Sequence, residues 1–528
     1  MLALVAAACC PGVIARPTSA EVLRRASVSV GEAAVAYTGE DHAERLAAAQ
    51  RWADGLGTVA RELRAPAGAA GAPWQRAPLV TRALAPLADG YFTVAHLAAA
   101  VERNFLDAGL GVYDARGRAG WQMGRVGTPR GASFEEAKLT WAEVEAAMGR
   151  GTVVFNSFGA HEPALAQLCL GAVHAFGLPA NLNLYLTRAG LTLSAPPHTD
   201  KQDVLVIQTQ GAKHWRVYAP PEPALRPHAD PLSRGKADDR LDLAELSETP
   251  LLEVDLRPGD ALYVPAGFPH TTSTSTSTPT PTMGDDAAAS SAARARAAPE
   301  PSLHLTLNVD THIWALTYDS ARRVALARAR EADAVRPREL PLANYLRWQD
   351  TLPVGFCAPP PAAEASGGAA RGADVDAARA PLIAQISREL GARLCEAEPE
   401  RWGASATAAA ADDALARLGL NECAARMAEH AAALVDVQRR LYIDGALELT
   451  PTPHGVSLFR VRPYLDELEG VMGALSAWAG LAPGALASDG AAGALPGAAS
   501  VGRASSRAPR ADKAKGGGGK AKKGGFGK

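Results

Sequence analysis

A histidine and an aspartate two residues apart, His198 and Asp200 in the stretch PPHTD, stand shortly before the apolar run VLVIQ. Side chains two residues apart on a strand point to the same face of the sheet, so this pair is able to bind one ion. A non-haem Fe(II) centre takes two imidazoles and one carboxylate on one face and leaves the opposite face open. The pair alone is a weak signal, because most such triplets are residues of surface loops. Two ligands of such a centre are the other interpretation, and it requires a third ligand from a distant strand.

The third ligand has one preferred candidate and several rivals. His270 ends the stretch RPGDALYVPAGFPH, in which a Gly-Asp turn precedes a short strand, and this predicts that the histidine lies at the rim of a barrel. Four other histidines stay open as candidates, and they are His304, His214, His228 and His312. Of these, His214 beside Trp215 is interpreted as structural, His304 as a core histidine and His228 as part of a Pro-rich loop.

A buried cation is the second requirement of this chemistry. An iron centre that uses 2-oxoglutarate must hold the far carboxylate of that cosubstrate, because burying the charge without a partner is costly. Lys213 begins the strand KHWRVY, fifteen residues beyond His198, and is the predicted partner, with Arg216 as a rival cation. A hydroxyl from the facing strand, Ser302 or Thr306, is expected to share the carboxylate. The alternative interpretation of Lys213 is a hairpin lysine exposed to water.

The elements that must position these residues are mostly short strands. From about residue 152 to residue 317, apolar runs alternate with Gly and Pro turns, and only one amphipathic helix, HEPALAQLCLGAVHAFGL, interrupts them. This pattern predicts a β-sandwich or jelly roll. Helical periodicity is expected on both sides, over residues 43–64, 93–108, 317–333, 372–398, 405–440 and 463–481. A strand pair, RLYIDGALELT and GVSLFRVR, is expected before the last helix.

Composition excludes several classes of protein. The 528 residues suffice for about three domains. Lys plus Arg (54) nearly balances Asp plus Glu (56), which argues against a polyanionic partner for the chain as a whole. The six cysteines contain no CxxC pair, which argues against a disulfide framework or a thiolate zinc site and favours a reducing compartment. No internal apolar run reaches the length of a membrane span, so no membrane association is expected.

Three segments have the composition of disordered chain. Residues 271–301 form a low-complexity insertion between two strands, and residues 358–371 are a linker rich in Ala, Pro and Gly. Residues 501–528 carry nine Lys or Arg against one Asp, which predicts a basic tail. Contact with RNA, an acidic surface or a nuclear import receptor is one interpretation, and a solvated tail without a partner is the other. The first twenty residues are apolar without a preceding basic residue, which argues against a secretory signal and leaves an organellar transit peptide open.

The strand-rich centre resembles a known family. The stretches NLYLTRAGLTLSAPPHTDKQDVLVIQTQGAKHWRVYAPP, LLEVDLRPGDALYVPAGFPH and SLHLTLNV are similar to the JmjC/cupin-fold ribosomal oxygenases. That family comprises Fe(II)- and 2-oxoglutarate-dependent hydroxylases of ribosomal proteins, including the bifunctional lysine-specific demethylase and histidyl-hydroxylase type. The likeness is good over residues 150–357 and loose elsewhere. One departure is Arg188, which follows YLT where the family usually has Pro.

The resemblance implies the roles of individual residues. His198, Asp200 and His270 would bind the iron and carry the catalysis, and Lys213 would pair with the 2-oxoglutarate carboxylate. Asn183 and Tyr185 match the Asn-x-Tyr strand that lines the cosubstrate pocket, and Ser302 matches the serine of the final SxHxT strand. The expected cofactors are Fe(II), 2-oxoglutarate as cosubstrate and molecular oxygen.

The resemblance also implies the architecture, an α+β chain built from a double-stranded β-helix (jelly-roll/cupin) JmjC domain and helical C-terminal parts. The expected domains are an N-terminal leader, 1–30, and a catalytic domain, 31–317, with the insertion 271–301. They continue with a helical dimerisation region, 318–425, that contains the linker 358–371. A winged-helix-like domain, 426–482, and a disordered basic Gly/Lys-rich tail, 483–528, would follow. A homodimer is therefore expected.

Three functions stay open. The leading hypothesis is hydroxylation of a histidine or arginine of a ribosomal protein. The alternatives are JmjC-type demethylation of N-methyl-lysine on a histone and a metal-binding cupin that acts as an interaction module without turnover. The complete triad together with Lys213 argues against the last. The basic tail and the resemblance favour the nucleus or nucleolus, whereas the N-terminus leaves a mitochondrion or plastid open.

Overall fold

The fold is described from a computed structural model of the chain. The structure describes residues 39–66, 71–103, 106, 108–112, 121–127, 139–225, 229–236, 239–275, 300–333, 335–358, 372–403, 416–447 and 457–486. The predicted leader, the linker 358–371 except Ala358, most of the insertion and nearly all of the tail lie outside these residues. The domain boundaries expected from the sequence therefore stay predictions.

Helices flank a strand-rich centre. Those before or within the centre are α1 (Gly39–Arg64), α2 (Ala85–Ala88), α3 (Val94–Arg103), α4 (Trp141–Met148) and α5 (Pro163–Phe176). Those after it are α6 (Tyr318–Arg328), α7 (Leu342–Gln349), α8 (Gly372–Ala397), α9 (Pro399–Trp402), α10 (Leu420–Arg440), a π-helical segment (Leu441–Leu447) and α11 (Ser457–Ala479). The expectation of an α+β chain with a helical C-terminal region is confirmed.

Twelve strands are described, and they form two antiparallel sheets. They are β1 (Leu79–Thr81), β2 (Ala108–Val112), β3 (Gln122–Arg125), β4 (Thr152–Phe155), β5 (Ala180–Thr187), β6 (Ala195–His198), β7 (Asp203–Gln210), β8 (Lys213–Val217), β9 (Leu252–Leu256), β10 (Ala261–Val264), β11 (His270–Ser273) and β12 (Ser302–Val309). The larger sheet has the order β1-β10-β7-β12-β5-β4-β2-β3, and the smaller has the order β6-β11-β8-β9.

The alternation of polar and apolar residues on β5 and β12 explains how the larger sheet is placed. On β5, Leu182, Leu184 and Leu186 join the main hydrophobic core, and on β12 the odd-numbered residues 303–309 do the same. The intervening residues are polar and face the other way, because side chains alternate along a strand. Register pairs Ser302 with Thr187 and His304 with Tyr185. The sheet therefore turns an apolar face to the helices and a polar face to the barrel interior.

The smaller sheet covers that polar face. Trp215 and Val217 of β8 pack against Val204, Val206 and Leu262 of the larger sheet in a separate apolar cluster. Two facing antiparallel sheets with this connectivity give the jelly-roll barrel expected from the strand pattern. One part of the barrel interior is thus apolar. The polar residues of β5 and β12 line the other part.

Helices α1 and α5 pack closely on the outer face of the larger sheet. Gly171 of α5 permits this approach, since a Cβ atom there would lie 2.6 Å from the Cβ of Trp52 and 2.9 Å from the carbonyl oxygen of Ala49. Leu165, Leu168 and their neighbours on α5 are fully buried between α1 and the sheet. This helical layer fixes the sheet from behind without entering the barrel.

The C-terminal helices are joined directly to the barrel. The amide of Ala180 at the start of β5 donates to Gln438 Oε1 at 2.6 Å, and Tyr442 Oη donates to the carbonyl of Ala180 at 2.7 Å. His430 Nε2 lies 2.8 Å from the carbonyl of Trp314, which accepts its hydrogen bond. These buried contacts make α10 part of the support of strand β5.

Two expectations about local structure are wrong. The predicted strand pair near residues 440–462 is helical wherever it is described, as the π-helical segment Leu441–Leu447 and the start of α11. Packing of Tyr442 and Val461 in the common core overrides their strand propensity. The winged-helix-like domain 426–482 therefore lacks a strand pair among its described residues, and residues 448–456 lie outside them.

The insertion also begins later than expected. Residues 271–273 are strand, because Thr271, Thr272 and Ser273 pair with β8 as continuous extensions of His270. Residues 276–299 lie outside the described part of the chain. Among the described helices, none has the length and apolar character that a membrane crossing requires.

Candidate metal centre

Strands β6 and β11 bring the two histidines together. His198 and His270 are direct partners in the antiparallel register, and their ring centroids are 4.3 Å apart. Their Nδ1 atoms lie 2.8 Å and 3.1 Å from the carbonyls of Pro196 and Phe268, two residues earlier in each case. A carbonyl only accepts, so each Nδ1 carries the proton and each Nε2 is left with a lone pair for a metal.

Asp200 completes the cluster from the turn after β6. Its Oδ2 lies 3.5 Å from His270 Nε2. One ligand atom from each of His198, Asp200 and His270 lies within 4.8 Å of the others, and among the described residues these three are the group that meets this condition. The structure thus assembles the predicted triad at the open end of the barrel.

The electrostatics of the cluster suit a cation. Burial is the main cause that lowers the pKa of both imidazoles, so His198 and His270 are neutral and able to bind a metal. Burial by itself would raise the pKa of Asp200, but Lys236 and the two histidines lower it below its usual range. The carboxylate is therefore ionised.

The rival histidines have other surroundings. His304 stacks on Tyr185 with 4.9 Å between ring centroids and meets Trp215 edge to face at 5.6 Å. His214 lies on the outer face of β8, between Asp255 and Glu253. His312 is buried beside Thr311. None of these three joins the triad, and His228 lies outside the described residues.

Lys213 extends into the barrel interior. It is 2 % exposed, and its Nζ donates to Thr187 Oγ1 at 3.1 Å. Burial lowers the pKa of Lys213 to about 7. The rival Arg216 lies on the opposite face of β8 and pairs with Glu253 at the surface. Lys213 is therefore the cation that the barrel holds, and the alternative of an exposed hairpin lysine is wrong.

The other predicted pocket residues line the same polar face. Asn183 and Tyr185 alternate with buried leucines on β5, and Asn183 Oδ1 accepts from the amide of Ser157 at 2.8 Å. Ser302 is fully buried opposite Thr187, and its Oγ accepts from Gln208 Nε2 at 3.0 Å. Thr306 lies on the same face, opposite Asn183. Ser302 is the register partner of Thr187, to which Lys213 donates, whereas Thr306 lies four register positions further along β12.

Unsatisfied buried atoms in the interior test whether a polar ligand fits. His304 Nδ1, Trp215 Nε1 and Gln208 Oε1 are buried and have no hydrogen-bond partner among the described residues. Lys213 has no carboxylate partner among the described residues either. A buried cation and several unsatisfied polar groups are costly unless a ligand completes them. The interior therefore offers a buried cation and unsatisfied polar groups, which suit an anionic polar ligand.

Sequence reasoning missed four residues of the site. Thr187 was recoverable, because it continues the alternation of Asn183 and Tyr185 on β5. Gln208 follows the continuous apolar run VLVI on β7, so no alternation marks it. Lys236, whose Nζ forms an ion pair with Asp200 Oδ1, has no sequence signal because its loop is 36 residues further on.

Asp203 is the fourth missed residue, and it supports the loop that carries His270. Its Oδ1 accepts from Tyr263 Oη at 2.7 Å and from the Ala266 amide at 3.2 Å, and its Oδ2 accepts from Gln75 Nε2 at 3.2 Å. The Gly267 amide of the same loop donates to the carbonyl of Asp200 at 2.9 Å. The loop that leads to His270 is thus hydrogen-bonded both to Asp203 and to the backbone of Asp200.

Comparison with known proteins gives a consistent result for this region. Residues 161–293 match the family model of the JmjC domain. The chain is 45% identical over 95 residues to ribosomal oxygenase 1 of Gallus gallus, which covers 18% of this chain and 14% of that protein. It is 30% identical over 181 residues to the bifunctional lysine-specific demethylase and histidyl-hydroxylase of Aedes aegypti, which covers 34% of this chain and 24% of that protein.

Among solved structures, one similar chain is the ribosomal oxygenase YcfD of Escherichia coli in complex with cobalt and 2-oxoglutarate. The identity is 16% and the TM-score is 0.26, and the match covers 61% of this chain and 68% of that one. The chain spans less than a quarter of the length of the two relatives named above.

Proposed function

We propose that this chain, which contains a JmjC domain, is an Fe(II)- and 2-oxoglutarate-dependent protein hydroxylase. The observation that carries the proposal is the triad of His198, Asp200 and His270 at the mouth of a barrel whose interior holds the buried cation Lys213. Two imidazoles and one carboxylate are the donor set of oxygen-activating Fe(II) centres.

Each residue has a task in this proposal. The triad holds the metal on one face, and the proton on each Nδ1 keeps the imidazoles in the tautomer that binds it. Lys213 and Thr187 bind the far carboxylate of 2-oxoglutarate. Tyr185, Asn183 and Ser302 line its pocket and exclude bulk water. Bound iron, with 2-oxoglutarate and molecular oxygen, supplies the oxidation of a substrate C–H bond.

We propose a histidine or arginine of a ribosomal protein as the substrate. Support comes from the relatives that carry the names ribosomal oxygenase 1 and histidyl-hydroxylase. The name of the Aedes aegypti relative also includes lysine-specific demethylase, so removal of an N-methyl group from a lysine is the second candidate. Both reactions start from the same metal centre and differ in the C–H bond presented to it.

A non-catalytic metal-binding module is the third candidate, and the site argues against it. A protein without turnover has no need for a buried lysine that lacks an anionic partner among the described residues, because its burial is costly. Dimerisation through the helical region 318–425, contact of the basic tail with RNA or an acidic surface, and a location in the nucleus or nucleolus are further proposals. An organelle remains the alternative location.

Mass spectrometry of ribosomal proteins tests the proposed function. Ribosomes from cells that lack the protein would be incubated with the purified enzyme, Fe(II), 2-oxoglutarate and oxygen. The expected result is one peptide that gains an oxygen atom while 2-oxoglutarate is converted to succinate. Loss of a methyl group from a lysine would instead favour the demethylase.

Two controls define the outcome. Asp200→Ala is expected to abolish both the modification and the formation of succinate, because it removes the anionic ligand. Omission of 2-oxoglutarate should have the same effect. If the wild-type protein converts no 2-oxoglutarate with any ribosomal fraction or histone, the proposed function is wrong.

A further inference from the structure

The two oxygens of Asp200 have different partners. Oδ2 lies on the side of the histidines, 3.5 Å from His270 Nε2. Oδ1 forms an ion pair with Lys236 Nζ. One oxygen of the carboxylate thus faces the two histidines, and the other is paired with Lys236.

The loop that carries Lys236 is built onto the backbone of the triad. The Thr199 amide donates to the carbonyl of Arg234 at 3.0 Å, directly beside two of the ligands. Gly235 has a φ of +76°, and a Cβ atom there would lie 2.3 Å from the carbonyl oxygen of Pro197. This close approach requires glycine at position 235. The backbone of the loop is therefore packed tightly against the strand of His198, and this contact sets the position of the neighbouring Lys236.

A tryptophan fixes the other side of the same loop. The Trp121 amide donates to the carbonyl of Gly235 at 2.8 Å, and Trp121 pairs with Lys236 in an isolated bridge. Its ring meets His198 edge to face, with 4.7 Å between centroids. Lys236 is therefore held between the residue that flanks His198 and the carboxylate of Asp200.

This arrangement has a consequence for coordination. A carboxylate with two free oxygens is able to bind a metal through both, and it then occupies an additional coordination position. A cation on one oxygen leaves a single oxygen for the metal and fixes the plane of the group. An open face is what a cosubstrate and oxygen need.

We propose that Lys236 is a positioning residue of the metal centre, which holds the outer oxygen of Asp200 so that this carboxylate gives the metal one oxygen only. The inference rests on the proposed function, since it assigns a task in assembling the same site. Lys236 is about a third exposed, so it also places a positive charge at the mouth of the barrel.

Metal binding by the purified apoprotein tests the inference without turnover. Titration calorimetry with Co(II) alone, and then with 2-oxoglutarate added to the cobalt protein, would compare the wild type with Lys236→Met and Lys236→Arg. Removal of an outer partner typically weakens metal binding by roughly 10- to 100-fold, and this is the expected effect of Lys236→Met. The arginine variant keeps the cation and is expected to bind within a few-fold of the wild type.

Lys201→Met is the matched control. It removes a cation that directly follows Asp200 in the chain but pairs with Asp230 at 2.9 Å. It should leave the affinity for Co(II) nearly unchanged. The visible spectrum of the cobalt protein gives a second measurement, because Lys236→Met should change its bands as the carboxylate changes its mode of binding, whereas Lys236→Arg should not.

Three outcomes would overturn the inference. They are an unchanged affinity and spectrum in Lys236→Met, a tighter binding of Co(II), which would mean that the lysine competes for the metal position, or an equal loss in Lys201→Met. If Lys236→Met fails to fold, Lys236→Gln replaces it with the same expectations. Failure of the wild type to bind Co(II) or 2-oxoglutarate would instead contradict the proposed function.

Discussion

Lys213 Nζ donates a hydrogen bond of 3.1 Å to Thr187 Oγ1 in the interior of the barrel. The two residues belong to different sheets, β8 and β5, so this contact crosses the space between them. Thr187 Oγ1 also lies 3.1 Å from Thr152 Oγ1, and Ser302 is its register partner on β12. Thr152 Oγ1 donates to the carbonyl of Ser194 at 2.9 Å, and Ser302 Oγ accepts from Gln208 Nε2 at 3.0 Å. The ammonium group of Lys213 and the hydroxyl proton of Ser302 are thus left to meet a carboxylate.

The affinity for 2-oxoglutarate should depend on pH through Lys213. Burial lowers the pKa of this lysine to about 7, and a carboxylate binds its protonated form. Binding therefore weakens as the pH rises above 7, by about fivefold from pH 7 to pH 8 and about tenfold from pH 8 to pH 9. Calorimetric titration of the metal-loaded protein with 2-oxoglutarate in the absence of oxygen measures this dependence.

Lys213→Arg provides the control for this prediction. Its guanidinium stays charged over the whole range, so whatever affinity the variant retains should not change between pH 7 and pH 9. The same slope in wild type and variant would assign the pH dependence to another group. An affinity of the wild type that is constant over this range would remove Lys213 from the pocket.

Substitution of two buried histidines should separate a metal ligand from a pocket residue. His270→Phe is expected to reduce the affinity for Co(II) by more than the roughly 10- to 100-fold loss that an outer partner causes, because a direct ligand is removed. His304→Phe should leave Co(II) affinity within a few-fold, since this ring stacks on Tyr185 away from the triad. Equal losses in both variants would show that the third ligand is misassigned.

Asp203 should make the stability of the protein depend on pH. Burial raises the pKa of this carboxyl from 3.8 to about 6, although Tyr263, Ala266 and Gln75 donate to it. The folded state then binds the proton more tightly than the unfolded state, so the stabilisation is present below pH 4 and is lost as the pH rises through 6. The expected contribution is on the order of 3 kcal/mol.

Urea unfolding of wild type and Asp203→Asn between about pH 4 and pH 7 measures this contribution. The free energy of unfolding of the wild type should fall relative to the variant as the pH rises. Tyr263→Phe removes one donor to the carboxylate, so it should move the same change to higher pH. A constant difference between wild type and Asp203→Asn would mean that Asp203 does not titrate in this range.

Gly235→Ala should damage the metal centre. A residue with a side chain at φ +76° costs roughly 1 kcal/mol by itself, and the contact with Pro197 adds to that cost. Gly480→Ala is a matched control, because its φ is +74° and a Cβ atom there meets nothing within 4 Å. Thermal unfolding and Co(II) titration would compare them.

The expected results for these two variants differ in kind. Gly480→Ala should lower the stability slightly and leave Co(II) affinity unchanged. Gly235→Ala should lower the stability further and weaken Co(II) binding, since the loop that holds Lys236 has to move away from His198. Equal effects on stability with no effect on Co(II) binding would contradict the close packing described for this loop.

Most strands of the barrel and the chemistry that they carry follow from local patterns of residues, whereas the strand pair expected near residues 440–462 is helical where it is described. The alternation of polar and apolar residues on β5 and β12 indicates that one face of each strand is buried against helices. His198, Asp200 and His270 lie at or next to strand ends, beside turn residues that the sequence shows. These signals are local, because they depend on side-chain direction along a strand and on the turn residues next to it. Thr187 was available from the same alternation on β5.

The contacts between segments distant in the chain become visible in the folded protein. Lys236 meets Asp200 across a loop, Gln75 meets Asp203 from the N-terminal side, and no local pattern predicts either contact. Packing also overrode the strand propensity of the stretch around Tyr442. This stretch is helical, because the side chain of Tyr442 is buried in the common core and donates to the carbonyl of Ala180. The ligands could thus be read from the sequence, whereas the groups that orient them depend on how the chain folds back on itself.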